Sequence, residues 1–190
     1  MFYQIDFFME FFMSNILIIN AHQPYPFAQG QLNQTLVETA TKILQSKGHQ
    51  VRQSNVMDYD VQDELAKHQW ADTIILQFPV YWMSVPYQAK KYMDDVYTAG
   101  MTGILCNTDG RHSANPTDNY GTGGTMNDKT YMLSATFNAP KQAFDKSDEY
   151  LFAGKGVDDL FFPIHCNFRF FAMEKLPTFA CFDVMKNPNM

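Results

Sequence analysis

The amino-acid sequence predicts a doubly wound α/β domain, in which helices cover both faces of a parallel sheet. Short runs of apolar and β-branched residues alternate along the chain with segments of helical periodicity. The runs are apolar throughout, which is typical of strands that are buried on both faces. Strands that alternate with helices in this way form a parallel sheet with right-handed crossovers.

Length and composition indicate one globular domain. The chain has 190 residues, of which 46% are hydrophobic and 15% aromatic, and this suffices for one continuous core. Its formal net charge is −6, and no run of Lys or Arg forms a local basic patch. Because such a surface repels a phosphate backbone, nucleic acid is not expected as a partner.

The first half of the chain is predicted to contain three strands and two helices. Residues 15–20 form a short apolar run bounded by polar residues, which predicts the first strand. Residues 31–47 place apolar side chains at helical spacing, and a glycine follows as a stop signal. A shorter strand is predicted over residues 49–55 and a short helix over 64–70. Residues 72–79 form the second clear buried strand, which ends at a proline.

The second half of the chain continues the alternation. A helix is predicted from Pro86 towards residue 97, because proline suits the first turn of a helix. Residues 129–136 predict another buried strand, and residues 157–172 a helix with a proline near its start. The last strand is predicted over residues 176–184. Right-handed crossovers between these strands would complete the sheet.

The two ends of the chain are predicted to lie outside this regular pattern. Residues 1–12 are rich in Phe, but they lack a cationic segment and a cleavage site, and they are too short to span a bilayer. We therefore expect an N-terminal extension over 1–12 and one domain over 13–190. A sheet of this kind normally ends with a helix over its last strand, and residues 185–190 are too few to form one. The expectation is that the final helix is missing, so that the chain is truncated or a partner covers the strand.

The spacing of cysteines and histidines predicts neither disulfides nor a metal site. Cys106, Cys166 and Cys181 are far apart and fit no CxxC or CxxH pattern, which favours a reducing cytoplasm. The five histidines include no pair at i, i+4 and no HExxH motif. No metal is expected.

Three loops that follow predicted strands are candidates for ligand binding, because ligands of open α/β sheets bind beyond the carboxyl ends of the strands. They cover residues 20–30, 80–85 and 136–140. The first loop ends with Gly30 at the start of a helix, where free N–H groups can hold a phosphate or pyrophosphate. It contains neither GxGxxG nor GxxxxGK[ST], so it is also compatible with an ordinary strand-to-helix connection.

The other two loops offer different chemistry. Tyr81 and Trp82 belong to an aromatic cluster on which a planar cofactor could stack, although such clusters also occur in cores. The third loop offers hydroxyl, amide and backbone donors, and Asn138 could equally cap a helix. A long loop, residues 100–128, contains Tyr120-Gly-Thr-Gly-Gly124, and a loop of this length in a compact domain is unusual without a function. Its glycines could approach a ligand or only form turns.

Several stretches in the same order carry a resemblance to a known family. They are residues 13–20, 30–33, 90–96, 120–124, 136–140 and 176–179. The sequence resembles, over residues 13–187, the bacterial NAD(P)H:quinone oxidoreductases called modulator of drug activity B. Residues 21–23 and 77–82 are more similar to the related FAD-dependent quinone reductases of animals. The resemblance implies a flavodoxin-like fold with a five-stranded parallel sheet in the order 2-1-3-4-5.

The resemblance also implies an FAD site with contacts from four segments. The pyrophosphate is expected near Ala28, Gln29, Gly30, Gln31, Leu32, Asn33, Gln34 and Thr35. The isoalloxazine is expected against Val80, Tyr81, Trp82 and Met83, and against Thr136, Phe137, Asn138 and Ala139, with a further contact from Tyr120. No catalytic residue is assigned, because residues 150–156 lack the histidine that relays charge in the animal enzymes.

The activity implied by the resemblance is reduction of quinones by two-electron hydride transfer from NADPH or NADH. Donor and quinone would occupy the flavin site in turn, which predicts ping-pong kinetics. A homodimer without stable membrane insertion is implied as well. The alternatives are an FMN-binding electron carrier of the flavodoxin type, an azo- or nitro-reductase on the same fold, and a cofactor-free protein.

Overall fold

Residues 13–186 are described in the computed structural model of the chain, and they form an open α/β sheet. Its strands are β1 (Asn15–Asn20), β2 (Gln50–Asn55), β3 (Thr73–Pro79), β4 (Thr130–Thr136), β5 (Glu174–Lys175) and β6 (Phe179–Cys181). The strands pair in parallel in the order β2-β1-β3-β4-β5, and β6 also pairs with β4. The predicted flavodoxin-like fold and strand order are thus confirmed.

Helices cover both faces of the sheet. They are α1 (Gln31–Ser46), α2 (Val61–Trp70), α3 (Tyr87–Ala99), α4 (Val157–Leu160) and α5 (Phe162–Phe170). Because side chains alternate along a strand, successive residues of β1 face opposite sides. Ile16 and Ile18 pack against Val37 of α1. Leu17 and Ile19 join the larger core, which contains residues of α2, α3 and α5. The apolar strands are therefore buried on both faces, as predicted.

Two predicted elements are interrupted by prolines. The helix predicted over 157–172 is divided into α4 and α5, and Pro163 lies in the first turn of α5. Proline has no N–H to donate to the preceding turn, so the helix ends at Leu160 and starts again. Of the last strand predicted over 176–184, only β6 is formed, and the short β5 lies just before the predicted range; Pro177 between the two cannot donate to the ladder.

The start of α2 was predicted too late in the chain. The helix begins at Val61, and the carboxylate of Asp60 accepts hydrogen bonds from the N–H groups of Gln62 and Asp63 at 2.9 and 3.0 Å. An acidic cap satisfies helix-end donors that would otherwise lack a partner. The long loop 100–128 contains no helix or strand, in agreement with its composition.

The predicted extension over residues 1–12 and the last four residues of the predicted domain lie outside the described residues. Between residues 13 and 186, no helix is both long enough and apolar enough to cross a membrane.

An apolar groove of about 320 Å³ lies between α1 and β6, and its walls include half-buried Ile75 and Met132. Phe179 in this groove remains 43% exposed.

A buried polar cluster joins α2 to α3. Glu64 is 1% exposed, and its carboxylate accepts hydrogen bonds from the Tyr92 hydroxyl at 2.6 Å and from the Lys67 ammonium at 2.8 Å. The Nδ1 of His68 lies 2.8 Å from the carbonyl oxygen of Glu64, to which it donates. Burial lowers the pKa of the His68 imidazole below its usual value of 6.5. The neutral ring is therefore the native form.

Stability is expected to fall as the pH falls below about 6.5. In the unfolded chain His68 takes up a proton near that pH, whereas burial keeps the native ring neutral, and burial acts in the same direction on His22 and His165. The unfolding free energy should then decrease by up to about 1.4 kcal/mol per pH unit for each such group. Urea denaturation between pH 7.5 and 5 measures this slope. His68→Gln should reduce the slope, and an unchanged slope in this variant would contradict the assignment of a neutral buried ring.

Candidate cofactor site

A pocket of about 370 Å³ lies at the carboxyl edge of the sheet. Its walls come from the loops that follow β1, β3 and β4, because parallel strands bring their carboxyl ends to one edge. In the order 2-1-3-4-5 the crossovers leave β1 and β3 in opposite directions, which opens a crevice between their loops. The loops predicted as candidates therefore meet around one cavity.

The first wall is the turn into α1. Gly30 has a φ of 86°, in the left-handed region, and a Cβ at this position would lie 2.4 Å from the imidazole of His22. No side chain caps α1, and its first turn contains no acidic residue, in contrast to the Asp60 cap of α2. The first N–H groups of α1 and the positive end of its dipole thus remain available for an anion.

His22 and Tyr81 connect the first wall to the second. The Nε2 of His22 lies 3.2 Å from the carbonyl oxygen of Ala28, to which it donates, and burial lowers the pKa of the ring. The hydroxyl of Tyr81 donates to the carbonyl oxygen of Gln23 at 3.1 Å, and its ring meets His22 edge to face. These bonds fix the two loops relative to each other.

The second loop contains a tight turn. Tyr81 and Ser84 exchange two backbone hydrogen bonds of 2.9 and 3.2 Å, and Trp82 and Met83 between them both have positive φ. Positive φ at both central residues is the geometry of a type I′ turn, which non-glycine residues adopt at a cost in strain. The turn directs Trp82 outward, so that the side chain is 95% exposed.

The third loop places the end of the chain beside the pocket. The N–H of Phe137 donates to the carbonyl oxygen of Cys181 at 2.7 Å, and its own carbonyl accepts from the N–H of Val184 at 3.1 Å. Phe137 is only 2% exposed and packs in the core, among other residues against Phe144. Its neighbours on either side, Thr136 and Asn138, line the pocket.

The structure brings most of the predicted cofactor residues together. Those that line the pocket are Ala28, Gln29, Gly30, Gln31, Leu32, Asn33, Val80, Tyr81, Thr136 and Asn138. Gln34 and Thr35 line an adjoining, more polar pocket of about 800 Å³. Trp82, Met83, Phe137 and Ala139 belong to the same loops without lining either cavity. Tyr120 lies apart, with its ring 5.8 Å from that of Phe170.

Some pocket residues were not predicted individually. They are His22, Pro26, Phe27, Pro79, Val184 and Met185. The first four lie within or next to loops that the sequence indicated. Gly30 was a further signal, because a glycine before a helix often makes room for a large side chain, here that of His22. Val184 and Met185 reach the pocket through the backbone pairing of residues 181–184 with Phe137 and Ala139, which no local pattern reveals.

The other predicted features of the site concern metals and thiols. Among residues 13–186, no group of three or more His, Cys, Asp and Glu side chains is arranged to hold a metal ion. The three cysteines are free thiols, of which Cys106 is buried. The donors available at the pocket are thus backbone amides, hydroxyls and side-chain amides beside apolar walls, a combination that suits a planar ligand with an anionic tail.

Comparison with known proteins gives consistent findings. The family described as Flavodoxin-like fold matches residues 14–190. The NADPH:quinone oxidoreductase MdaB of Haemophilus influenzae is 44% identical over 178 residues, which cover 93% of this chain and 91% of that protein. A candidate quinone reductase from Klebsiella pneumoniae is 26% identical, with a TM-score of 0.73 over 91% of this chain and 77% of that chain. The general stress protein 14 of Treponema denticola, solved with FMN, is similar in fold alone, at 16% identity and a TM-score of 0.60 over 90% of this chain and 86% of that one.

Replacing Gly30 with alanine is expected to destabilise the protein more than replacing Gly48. Both glycines are left-handed, with φ of 86° and 90°, so each alanine adds about 1–2 kcal/mol of backbone strain. Only at Gly30 would the Cβ meet a ring, since nothing lies within 4 Å of a Cβ at Gly48. Urea denaturation should show an additional loss on the order of 1–3 kcal/mol for Gly30→Ala. Equal losses would contradict the packing of His22.

Proposed function

The chain belongs to the flavodoxin-like-fold family and within it to the modulator of drug activity B family, and on that basis we propose that it is an FAD-dependent NAD(P)H:quinone oxidoreductase. The observation that carries the proposal is the uncapped N-terminus of α1, which opens at Gly30 into a pocket with apolar walls. The 44% identity to the MdaB protein of Haemophilus influenzae, across most of both chains, supports the same activity.

The residues present fit a flavin nucleotide. At Gly30 the His22 ring fills the space that a Cβ would take, and the first N–H groups of α1 have no side-chain cap, so they are available to bind a phosphate. Val80 and Tyr81 on one side, and Thr136 and Asn138 on the other, would hold the isoalloxazine. Thr136 and Asn138 also carry the polar groups that can stabilise negative charge on the ring.

The adjoining pocket supports FAD rather than FMN. The two cavities share His22, Gln29, Gly30 and Gln31, so they meet at the proposed phosphate site. FMN would fill only the first cavity, whereas the second nucleotide of FAD would extend past α1 into the larger one. This polar cavity also includes Glu38 and Asn55, which can bind hydroxyl and amino groups.

The protein's part in the reaction is binding, orientation and exclusion of water. When bound, FAD supplies two-electron hydride transfer between NAD(P)H and a quinone. Apolar residues at the rim, among them Val184 and Met185, would shield a bound ring from part of the solvent. Tyr81 is held in place by its bond to Gln23. One pocket has to serve donor and acceptor in turn, which gives ping-pong kinetics.

We further propose that the enzyme works as a homodimer in the cytoplasm. Phe27 at the pocket is 76% exposed and Trp82 on the next loop is 95% exposed. Large exposed aromatic side chains beside a binding site are typical of surfaces that meet another protein. The three free thiols are compatible with a reducing compartment.

The purified protein is expected to carry FAD, visible in its absorption spectrum and identified by chromatography after release. Addition of NADPH should bleach the flavin, and menadione should restore the colour. FMN in place of FAD, or a flavin that NADPH does not bleach, would favour an electron carrier. A protein that binds no flavin, even after reconstitution, would refute the proposed enzyme.

A matched pair of variants links this activity to the pocket. Gly30→Ala should lose FAD, because the Cβ displaces His22 or the turn itself, while Gly48→Ala carries the same kind of backbone strain at the opposite end of α1 and should retain it. Equal FAD content in the two variants would place the flavin elsewhere.

A further inference from the structure

On the face of the sheet that α1 covers, the side chains near the carboxyl ends of β1, β3 and β4 form a polar row. Asn20 of β1, Gln77 of β3 and Ser134 of β4 are register partners on adjacent strands. They face α1, because Gln77 bonds a side chain of that helix. Two residues earlier on the same face of each strand lies an apolar row: Ile18, Ile75 and Met132.

These side chains form a continuous hydrogen-bonded chain that ends on α1, named here the amide chain. The Ser134 hydroxyl donates to Oε1 of Gln77 at 2.6 Å, and Nε2 of Gln77 donates to Oδ1 of Asn33 at 3.0 Å. Nδ2 of Asn33 donates to Oδ1 of Asn20 at 2.6 Å, and Nδ2 of Asn20 donates to Oε1 of Gln34 at 2.8 Å. The amide chain thus connects the ends of three strands to the first turn of α1.

Stability alone does not account for the amide chain. Gln77 and Asn33 are each 3% exposed and Ser134 is 7% exposed, so these groups are desolvated, and their hydrogen bonds do little more than offset that cost. Apolar residues in the same row would bury favourably without partners. Hydrogen bonds, however, fix direction and distance, which apolar contacts do not. What the amide chain supplies is a defined position for the first turn of α1.

We propose that Gln77 and Ser134 are positioning residues for the phosphate of the flavin nucleotide. They hold Asn33, and with it the first turn of α1, where the free backbone N–H groups beside Gly30 receive the phosphate. Neither Gln77 nor Ser134 lines the cofactor pocket, so they act through the helix. This inference rests on the proposed function, since it requires that a flavin nucleotide binds at α1.

The proposal distinguishes flavins with a phosphate from flavins without one. FAD and FMN carry a phosphate that must meet the N–H groups of α1, whereas riboflavin has the same ring and ribityl chain without it. A shift of the first turn therefore weakens FAD and FMN, while riboflavin, held by the loops after β3 and β4, is unaffected. A general loss of fold would weaken all three flavins together.

The test is fluorescence titration of the full-length apoprotein with FAD, FMN and riboflavin in the wild type and in Gln77→Met. Methionine has a similar length, but it cannot donate to Asn33, and its sulfur is only a weak acceptor for the Ser134 hydroxyl. FAD and FMN are expected to bind about tenfold more weakly, with riboflavin within about twofold of the wild type. Ser134→Ala, which leaves the bond between Gln77 and Asn33, should show a smaller change in the same direction.

Thr73→Val is the matched control. The hydroxyls of Thr73 and Thr130 lie 2.9 Å apart and form a side-chain hydrogen bond between the same two strands at their amino ends. Its removal should change the melting temperature by an amount similar to that in Ser134→Ala, without changing affinity for FAD or FMN. The melting temperature of every variant is measured as well. A variant that binds FAD weakly but keeps its melting temperature has lost phosphate binding and not its fold.

Each outcome decides the proposal. If riboflavin weakens in proportion to FAD, or if Thr73→Val weakens FAD equally, the amide chain is only structural and the inference is overturned, while the proposed function stands on wild-type binding. A wild type that binds no flavin overturns both. If Gln77→Met does not fold, Ser134→Ala decides the test: unchanged affinity for FAD would overturn the inference.

Discussion

The contact between a left-handed glycine and an imidazole is the constraint on which the site depends. At Gly30 the chain turns from the first loop into α1, and the His22 ring occupies the space that a side chain would need. This packing brings the helix end directly beside the end of β1. Tyr81 then aligns against His22, and the second loop is placed relative to the first. The polar and apolar walls of the pocket take their positions from this one turn.

Much of the fold follows from local patterns in the sequence. Continuous apolar runs specify the buried strands, since only strands covered on both faces need them. The alternation of these strands with helical segments predicts a parallel sheet. The candidate loops could then be predicted as well, because the carboxyl ends of parallel strands meet at one edge, where ligands bind. The interruptions at Pro163 and Pro177 have a local cause, which is the missing N–H of proline. The sequence does not show at which residues the helix or strand ends before the proline and begins again after it.

The parts of the site that could not be predicted depend on contacts between distant segments. Val184 and Met185 reach the pocket because Phe137 pairs with the strand before them. Nothing in the local sequence distinguishes Asn33, whose amide faces into the sheet, from Gln31 or Gln34 on the same helix. The outward direction of Trp82 results from positive φ at two residues that usually avoid it. Such features require the register of the whole sheet.

The turn that exposes Trp82 has an optical consequence. The chain contains two tryptophans, and the other, Trp70, is half-buried at the end of α2 with the Arg52 guanidinium 4.2 Å from its ring. The two indoles therefore have different surroundings: Trp70 lies against a cation, and Trp82 is exposed to solvent on the loop after β3. We expect their emission to contain a constant component from Trp70 and a component from Trp82 that changes with the loop after β3. The protein thus contains an intrinsic optical reporter of the loop after β3, with no label attached.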